Sequence, residues 1–242
     1  MNGRAFKMKH AVITGGSRRL GLYLTEHFLN LGWFVTVLSR EKSSSLAALA
    51  CDQLTIIEVD YCDEENLTEA TRALQDQTID LLVHNASLFD KDVHHQADLM
   101  RFFDQLYQVH MRLPALLNEL CFDALSRSNN ANIVHMTDIY AQTPHPEFGL
   151  YSASKAGLES LMKSYAAKYA PNIRVNSIQP GPLKFLPNHS DEDKLAVLNN
   201  SLIPIEAGFS PVAQTIDFII KNPFVTGASH TVDGGRSVKM NR

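Results

Sequence analysis

VITGGSRRLG, from Val12 to Gly21, is the stretch on which the fold turns. An apolar run meets two consecutive glycines, and the residues beyond them take up helical spacing. Gly15 and Gly16 permit a tight turn with positive φ, and the N-terminus of the following helix offers free N–H groups to a pyrophosphate. Gly15, Ser17, Arg18, Arg19 and Leu20 are therefore candidate contacts for a dinucleotide cofactor. The competing reading leaves Arg18 and Arg19 as solvated turn residues. A glycine-rich turn says little in isolation; its weight comes from standing at the first strand–helix junction of an alternating chain.

Outward from that turn the alternation continues. Short apolar runs predict strands at 10–14, 33–39, 54–59, 79–84, 132–136, 173–178 and 230–232. Helical spacing between them predicts helices at 20–31, 45–50, 64–75, 98–126, 152–169 and 211–220. Such a pattern specifies an α/β fold with a doubly wound, mostly parallel seven-stranded sheet and helices on both faces. VITG and LLVHN read as near-continuous apolar runs, as expected of strands covered on both sides. Residues 142–149 and 180–200 are polar and contain proline, so both read as loops; the second, within a segment of about 183–210, reads either as a substrate lid or as a disordered surface loop. With no linker or repeat, residues 1–242 are expected to form one domain.

Composition narrows the partners. The net charge is -4 and the basic residues do not cluster, which argues against nucleic acid. Cys51, Cys62 and Cys121 are widely spaced with no CxxC, which suits a reducing cytoplasm and argues against a zinc site; no metal is expected. The N-terminal MNGRAFKMKH lacks an apolar core for a signal peptide, and no membrane span is expected. The pair His94 and His95 reads as solvated rather than metal-ligating.

The second strand indicates which cofactor. An acid at its end would bind a ribose 2′-hydroxyl, whereas a nearby Arg accommodates a 2′-phosphate. VTVLSR places Ser39 and Arg40 there, which favours NADPH, although Glu41 follows directly. Asp60 ends the third strand, either to accept from the adenine amine or to cap a helix.

Tyr151 and Lys155, in YSASK, lie four apart on one helix face. A phenol is a poor acid near neutrality, with a reference pKa of about 10. An ammonium about 4 Å away at an effective dielectric of about 20 contributes ~4 kcal/mol, or roughly three pKa units. That would bring Tyr151 toward neutrality, where a general acid works best.

Taken together, TGGSRRLG, HNAS (His84–Ser87), YSASK, NSIQPGP (Asn176–Pro182) and FVTGASHTVDGG (Phe224–Gly235) resemble the short-chain dehydrogenase/reductase family in its usual order, over nearly the whole chain. The resemblance implies a Rossmann fold and an NADP-dependent oxidoreductase. It makes Tyr151 the proton donor and Lys155 the holder of the nicotinamide ribose. Asn85 and Ala86 would stand beside the cofactor, with Pro180 and Gly181 near the nicotinamide. It also implies a homo-oligomer, often a tetramer, built through the helices before and around Tyr151.

Two departures from that pattern are informative. Arg19 stands where the family usually has the middle Gly of its turn, and Asp138 stands where it has a Ser thirteen residues before the Tyr. A carboxylate would repel charge developing on a ketone oxygen, whereas a C=N bond needs a proton on nitrogen, which a carboxyl can relay. Both departures resemble the pteridine reductases, as does HNASLF. That resemblance has Ser87 touching the pterin, Arg19 reaching phosphate and pterin, and Phe89 stacking on the ring, where the alternative is a plain core aromatic. His110, in LYQVHMRLPALL, matches the bacterial dihydromonapterin reductases, either as a proton relay or as a buried structural His. The implied reaction is NADPH-dependent reduction of a 7,8-dihydropterin, dihydromonapterin first, with dihydrobiopterin or dihydrofolate slower. The competing readings are a carbonyl or keto-acyl reductase of the same fold, a non-catalytic NADPH-binding regulator, and a structural interaction module.

Overall fold

Side chains of strand β1 (His10–Thr14) alternate between two cores, and the whole strand is buried. Val12 enters one core with Leu67, Leu117 and Met162, while Ala11 and Ile13 enter the other with Leu24, Phe28 and Ile216. A strand's period of two thus builds both layers at once. The structure is a computed structural model, and it describes residues 8–240. Most of the N-terminal stretch in which no signal peptide was read lies outside the described residues.

Six further strands follow: β2 (Phe34–Ser39), β3 (Leu54–Glu58), β4 (Leu81–His84), β5 (Ala131–Met136), β6 (Ile173–Pro180) and β7 (Ser229–Val232). They form one sheet of order β3-β2-β1-β4-β5-β6-β7, and every neighbouring pair is parallel. The expectation of a mostly parallel sheet thus becomes an all-parallel one. This is the single Rossmann-like α/β domain expected from the strand–helix alternation. The order reverses between β1 and β4, so a crevice opens beyond their C-terminal ends, the usual ligand position in such sheets.

One face carries α1 (Arg19–Asn30), α2 (Ser44–Ala47) and, later in the chain, a helix at Ser210–Lys221. The other carries α3 (Glu64–Arg72) and a helix at Gly149–Tyr169. The single helix expected at 98–126 is instead broken. A 3-10 segment (Asp92–Asp98) leads into α4 (Leu99–Tyr107), a π-turn (Gln108–Arg112), α5 (Leu113–Leu120) and α6 (Phe122–Ser126). Pro114, at the first turn of α5, lacks the N–H that an uninterrupted helix would use. The Gly149–Tyr169 helix is α7. The stretch 180–200, expected as loop, contains α8 (Asp191–Asn199), started by a capping box between Ser190 and Asp193. α8 buries no residue, so it lacks the apolar face that periodicity detects. The Ser210–Lys221 helix is α9, and α10 (Arg236–Met240) ends the described chain. Among the described residues no helix is long and apolar enough to cross a membrane.

Candidate active site

The glycine turn is cradle-shaped because side chains cannot fit there. Gly15 has φ +67°, and a Cβ on it would lie 2.8 Å from the Ala86 Cα. On Gly21 a Cβ would strike the Gly15 carbonyl, and on Gly181 it would lie 2.7 Å from the Asp233 Cβ. No side chain caps α1, so its first N–H groups remain available to an anion. The turn thus fits the pyrophosphate of a dinucleotide at the crevice mouth.

Several groups tie the turn down. The Asn85 amide donates to the Thr14 and Gly15 carbonyls at 3.1 and 3.0 Å. The Thr14 hydroxyl accepts from the Asn85 and Ala86 N–H groups, each at 3.0 Å. Tyr61, which no motif in the chain singles out, is buried beneath the turn. Its phenol donates to the Leu38 carbonyl at 2.6 Å and accepts from the Gly15 N–H at 2.9 Å, and burial pushes its pKa up to about 12. A buried aromatic after a strand reads as core; only coordinates reveal its polar contact. The Ser43 hydroxyl, which caps α2, also donates to the Ser17 carbonyl at 2.6 Å.

At the end of β2, Arg40 is exposed, and the Ser39 hydroxyl is turned inward onto the Glu41 carbonyl at 2.7 Å. Asp60 is exposed and accepts from the Cys62 N–H at 2.9 Å. The helix-capping alternative for Asp60 is corrected: Asp63 caps α3, because it stands at the position whose carboxylate reaches the Asn66 N–H.

The chemistry-bearing groups converge beyond β5. Asp138 caps a 3-10 turn (Ile139–Ala141) through its Oδ1, which accepts from the Tyr140 N–H at 2.8 Å. Its Oδ2 accepts from the Tyr151 hydroxyl at 2.9 Å. Burial raises the Asp138 pKa, partly offset by the Tyr140 N–H and the Lys155 charge. Burial, and then the Asp138 charge, raise the Tyr151 pKa well above its usual value. The expectation that Lys155 would bring Tyr151 toward neutrality is therefore corrected. Lys155 Nζ donates to the Met136 carbonyl at 2.8 Å and lies 5.7 Å from the Tyr151 ring centroid. The nearer charge on the phenol is the carboxylate. Lys155 itself is buried, which lowers its pKa to about 8. Thr137 points to the other side, its hydroxyl donating to the Ile178 carbonyl at 3.1 Å.

A second line of groups approaches Tyr151 from the π-turn. His110 Nε2 accepts from the Leu88 N–H at 3.2 Å, so this nitrogen carries the lone pair and the ring proton sits on Nδ1. Nδ1 donates to the Ser154 hydroxyl at 2.8 Å, which donates to the Tyr151 carbonyl at 2.7 Å. The Ser87 hydroxyl lies 2.9 Å from His110 Nε2 and also hydrogen-bonds the Tyr151 phenol. Burial, with the nearby Lys155 charge, holds His110 well below its usual pKa, so it is neutral. The path through His110 and Ser154 ends on a backbone carbonyl.

Phe89 is not a core aromatic: it is 51% exposed, stacked on Phe148 with centroids 4.6 Å apart and edge-on to Tyr151 at 4.8 Å. Beside it, His94 is exposed and His95 partly so, and among the described residues neither belongs to a group that could hold a metal. Both hydrogen-bond the Asp90 carboxylate, at 2.6 and 3.0 Å, and the His95 ring stacks on Phe102. Across the crevice the Arg19 guanidinium donates to the Lys184 carbonyl at 2.9 Å and lies over the Phe209 ring. Arg19 has φ +48°, which explains why glycine is the usual residue there. Pro180 ends β6, with Gly181 packed against Asp233. The sheet therefore brings Gly15, Asn85, Asp138, Tyr151, Lys155 and the 180–181 turn to one rim, while Arg40 and Asp60 lie at the β2 and β3 ends.

Comparison with known proteins agrees with this arrangement. The short chain dehydrogenase family matches residues 9–194. A dihydromonapterin reductase from Enterobacter sp. (strain 638) is 33% identical over 229 residues, covering 93% of this chain and 95% of that one. The dihydromonapterin reductase of Escherichia coli (strain K12) is 31% identical over 234 residues, covering 94% and 96%. Among solved structures, FolM alternative dihydrofolate reductase 1 from Brucella suis, in complex with NADP, superposes with TM-score 0.85 at 26% identity, covering 95% of each chain. The chain belongs to the short-chain dehydrogenase/reductase family and is one of its oxidoreductases.

Proposed function

We propose that this protein reduces the C=N bond of a 7,8-dihydropterin with NADPH, yielding the tetrahydropterin, and that dihydromonapterin is its preferred substrate. The observation that carries the reading is the hydrogen bond between the Asp138 carboxyl and the Tyr151 phenol. Burial favours the protonated form of both groups, so the pair retains a transferable proton near neutrality. A phenol that keeps its proton and is hydrogen-bonded to a buried carboxyl suits delivery of that proton to a basic ring nitrogen, N5. The names of the dihydromonapterin reductase relatives and of the Brucella FolM support the same substrate class.

Bound NADPH supplies the hydride that reaches C6. The residues that would hold it are Gly15, Ser17, Arg18, Arg19 and Leu20 at the pyrophosphate turn and Ser39 and Arg40 toward the 2′-phosphate. Asp60 would face the adenine, Asn85 and Ala86 would stand alongside, and Tyr151, Lys155, Pro180 and Gly181 would surround the nicotinamide ribose and ring. Ser39 rather than an acid ends β2, and the exposed Arg40 that follows, ahead of Glu41, favours the phosphorylated cofactor. Phe89 offers the pterin an exposed aromatic face, Arg19 and Ser87 offer it donors, and His110 holds Ser87 in place. The segment 183–210 closes over the substrate as part of the same single domain. Its place over the site rests on the Arg19 contact with the Lys184 carbonyl.

The test is steady-state NADPH oxidation with dihydromonapterin, dihydrobiopterin and dihydrofolate side by side, beside small ketones and a keto-thioester. Pterin turnover, fastest with dihydromonapterin, is expected. Asp138→Ala should cost about 10²- to 10⁴-fold in pterin turnover, the usual range for a positioned acid, while NADPH binding persists. Turnover confined to ketones, or a fully active Asp138→Ala, would overturn the assignment.

A further inference from the structure

One cation beside this site has, among the described residues, no partner that accounts for it. Arg236 opens α10, directly after the Gly234–Gly235 pair, whose positive φ angles turn the chain back toward the lid. The Gly234 carbonyl receives the Ile203 N–H at 2.8 Å, and a Cβ on Gly235 would lie 2.8 Å from Leu202 Cδ1. Arg236 is thereby set between the 180–181 turn, which packs on Asp233, and the C-terminal half of α8.

Its guanidinium is half-buried, and its single hydrogen bond among the described residues is a long one, 3.4 Å to the Val197 carbonyl. It forms no ion pair among them. Capping the end of α8 does not explain it, because Lys239 Nζ already reaches the Asn199 and Ser201 carbonyls. Asp138, however, feels its charge, as one of the influences that moderate the rise in the carboxyl's pKa. Arg236 therefore lies within electrostatic reach of Asp138, on the segment that packs against the 180–181 turn. A guanidinium has five donors in a planar fork, and most of these have no acceptor here.

This inference rests on the dihydropterin reading above. Asp138 and Tyr151 protonate N5, which is bonded to C6, so the C6 substituent begins two bonds from the atom they serve. We propose that Arg236 is a specificity-determining residue whose guanidinium donates to the hydroxyl oxygens of a polyol chain at C6 of the dihydropterin. Vicinal hydroxyls present two acceptors at a spacing that a planar fork can meet, whereas a methyl group offers it none. Through this contact the enzyme prefers long hydroxylated substituents to short apolar ones.

The experiment compares dihydromonapterin with 6-methyl-7,8-dihydropterin in the wild type, Arg236→Met and Arg236→Lys, with kcat, KM and the pH profile of each. A charge-assisted hydrogen bond lost on removing the fork corresponds to a roughly tenfold or greater rise in KM. That rise should fall on dihydromonapterin in Arg236→Met, shrinking its preference over the 6-methyl substrate about tenfold, with partial recovery in Arg236→Lys. An equal loss on both substrates, or a shared shift of both pH profiles with the preference intact, would overturn the assignment in favour of a lid or electrostatic role. Wild-type turnover of neither pterin would instead overturn the dihydropterin reading itself, and this inference with it.

Discussion

Lys155 carries its charge into a site that disfavours it, and this has a measurable consequence. It is 2% exposed, and burial lowers its pKa to about 8 against an ordinary 10.5, with Asp138 opposing the fall. As pH rises through about 8, the ammonium that would hold the nicotinamide ribose loses its proton. NADPH titrated against the protein should therefore bind about tenfold more weakly at pH ~9.5 than at pH ~8, and Lys155→Met should bind weakly with no such limb. Folding stability moves the opposite way. Between about 8 and 10.5 the unfolded chain binds more protons at this residue than the folded one, so the Lys155 contribution to stability rises with pH. Loss of affinity in that window is thus distinct from unfolding. A Lys155→Met variant that keeps the wild-type slope would separate the limb from this residue. The sequence made both members of YSASK legible, but not which charge the phenol meets. Spacing places Tyr151 and Lys155 on one face, while the closer partner, Asp138, comes from another strand's end.

At the scale of elements, the strands were legible to within a residue or two: β1, β4, β5 and β6 are buried on both sides and so read as apolar runs, whereas β3 and β7 are only partly buried. Three elements were not. The broken helix between 98 and 126 keeps its apolar periodicity through the π-turn, and only Pro114 signals a break beside the bulge that carries His110, while α10 is too short for periodicity to show. Helix α8 buries nothing, so only its Ser190–Asp193 capping box could have announced it. The glycine turn was legible in type but not in conformation, and Arg19 shows why that matters. A side chain at φ +48° costs about 1–2 kcal/mol relative to a residue without a Cβ. In return its guanidinium reaches the Lys184 carbonyl and the face of Phe209. Arg19→Gly should raise the melting temperature by roughly 2–6 °C, since the strain disappears. It should also raise the KM for the pterin several-fold, as the lid segment loses its clasp. An unchanged or lower melting temperature would show that the strain is offset by packing at this turn.

For the whole molecule, the arrangement that serves the site also makes the fold acid-sensitive. Beneath the rim, His84 and His135 are buried with ring centroids 4.8 Å apart, and Asn118 lies between them, its Oδ1 2.8 Å from His84 Nε2. Burial lowers the His84 pKa from 6.5 to about 4, and holds His135 and His110 well below their usual value. All three must be neutral in the folded chain, and no carboxylate stands among the causes that would favour their charged forms. The sign follows from proton binding: between 6.5 and about 4 the unfolded state takes up protons that the folded state refuses. Stability therefore falls as pH falls through that window, and His84 alone accounts for about 3 kcal/mol of the loss. His84→Asn keeps an amide able to donate to Asn118 and removes the titration. Whatever it does to absolute stability, its melting temperature should fall less steeply from pH ~6.5 to pH ~4 than that of the wild type. The difference in the total drop should be roughly 6–12 °C. The slope, rather than the height, of the curve is the diagnostic, because a packing defect lowers the curve evenly across pH. Parallel wild-type and variant curves would show that the acid limb arises elsewhere, with His110 and His135 the next groups to replace.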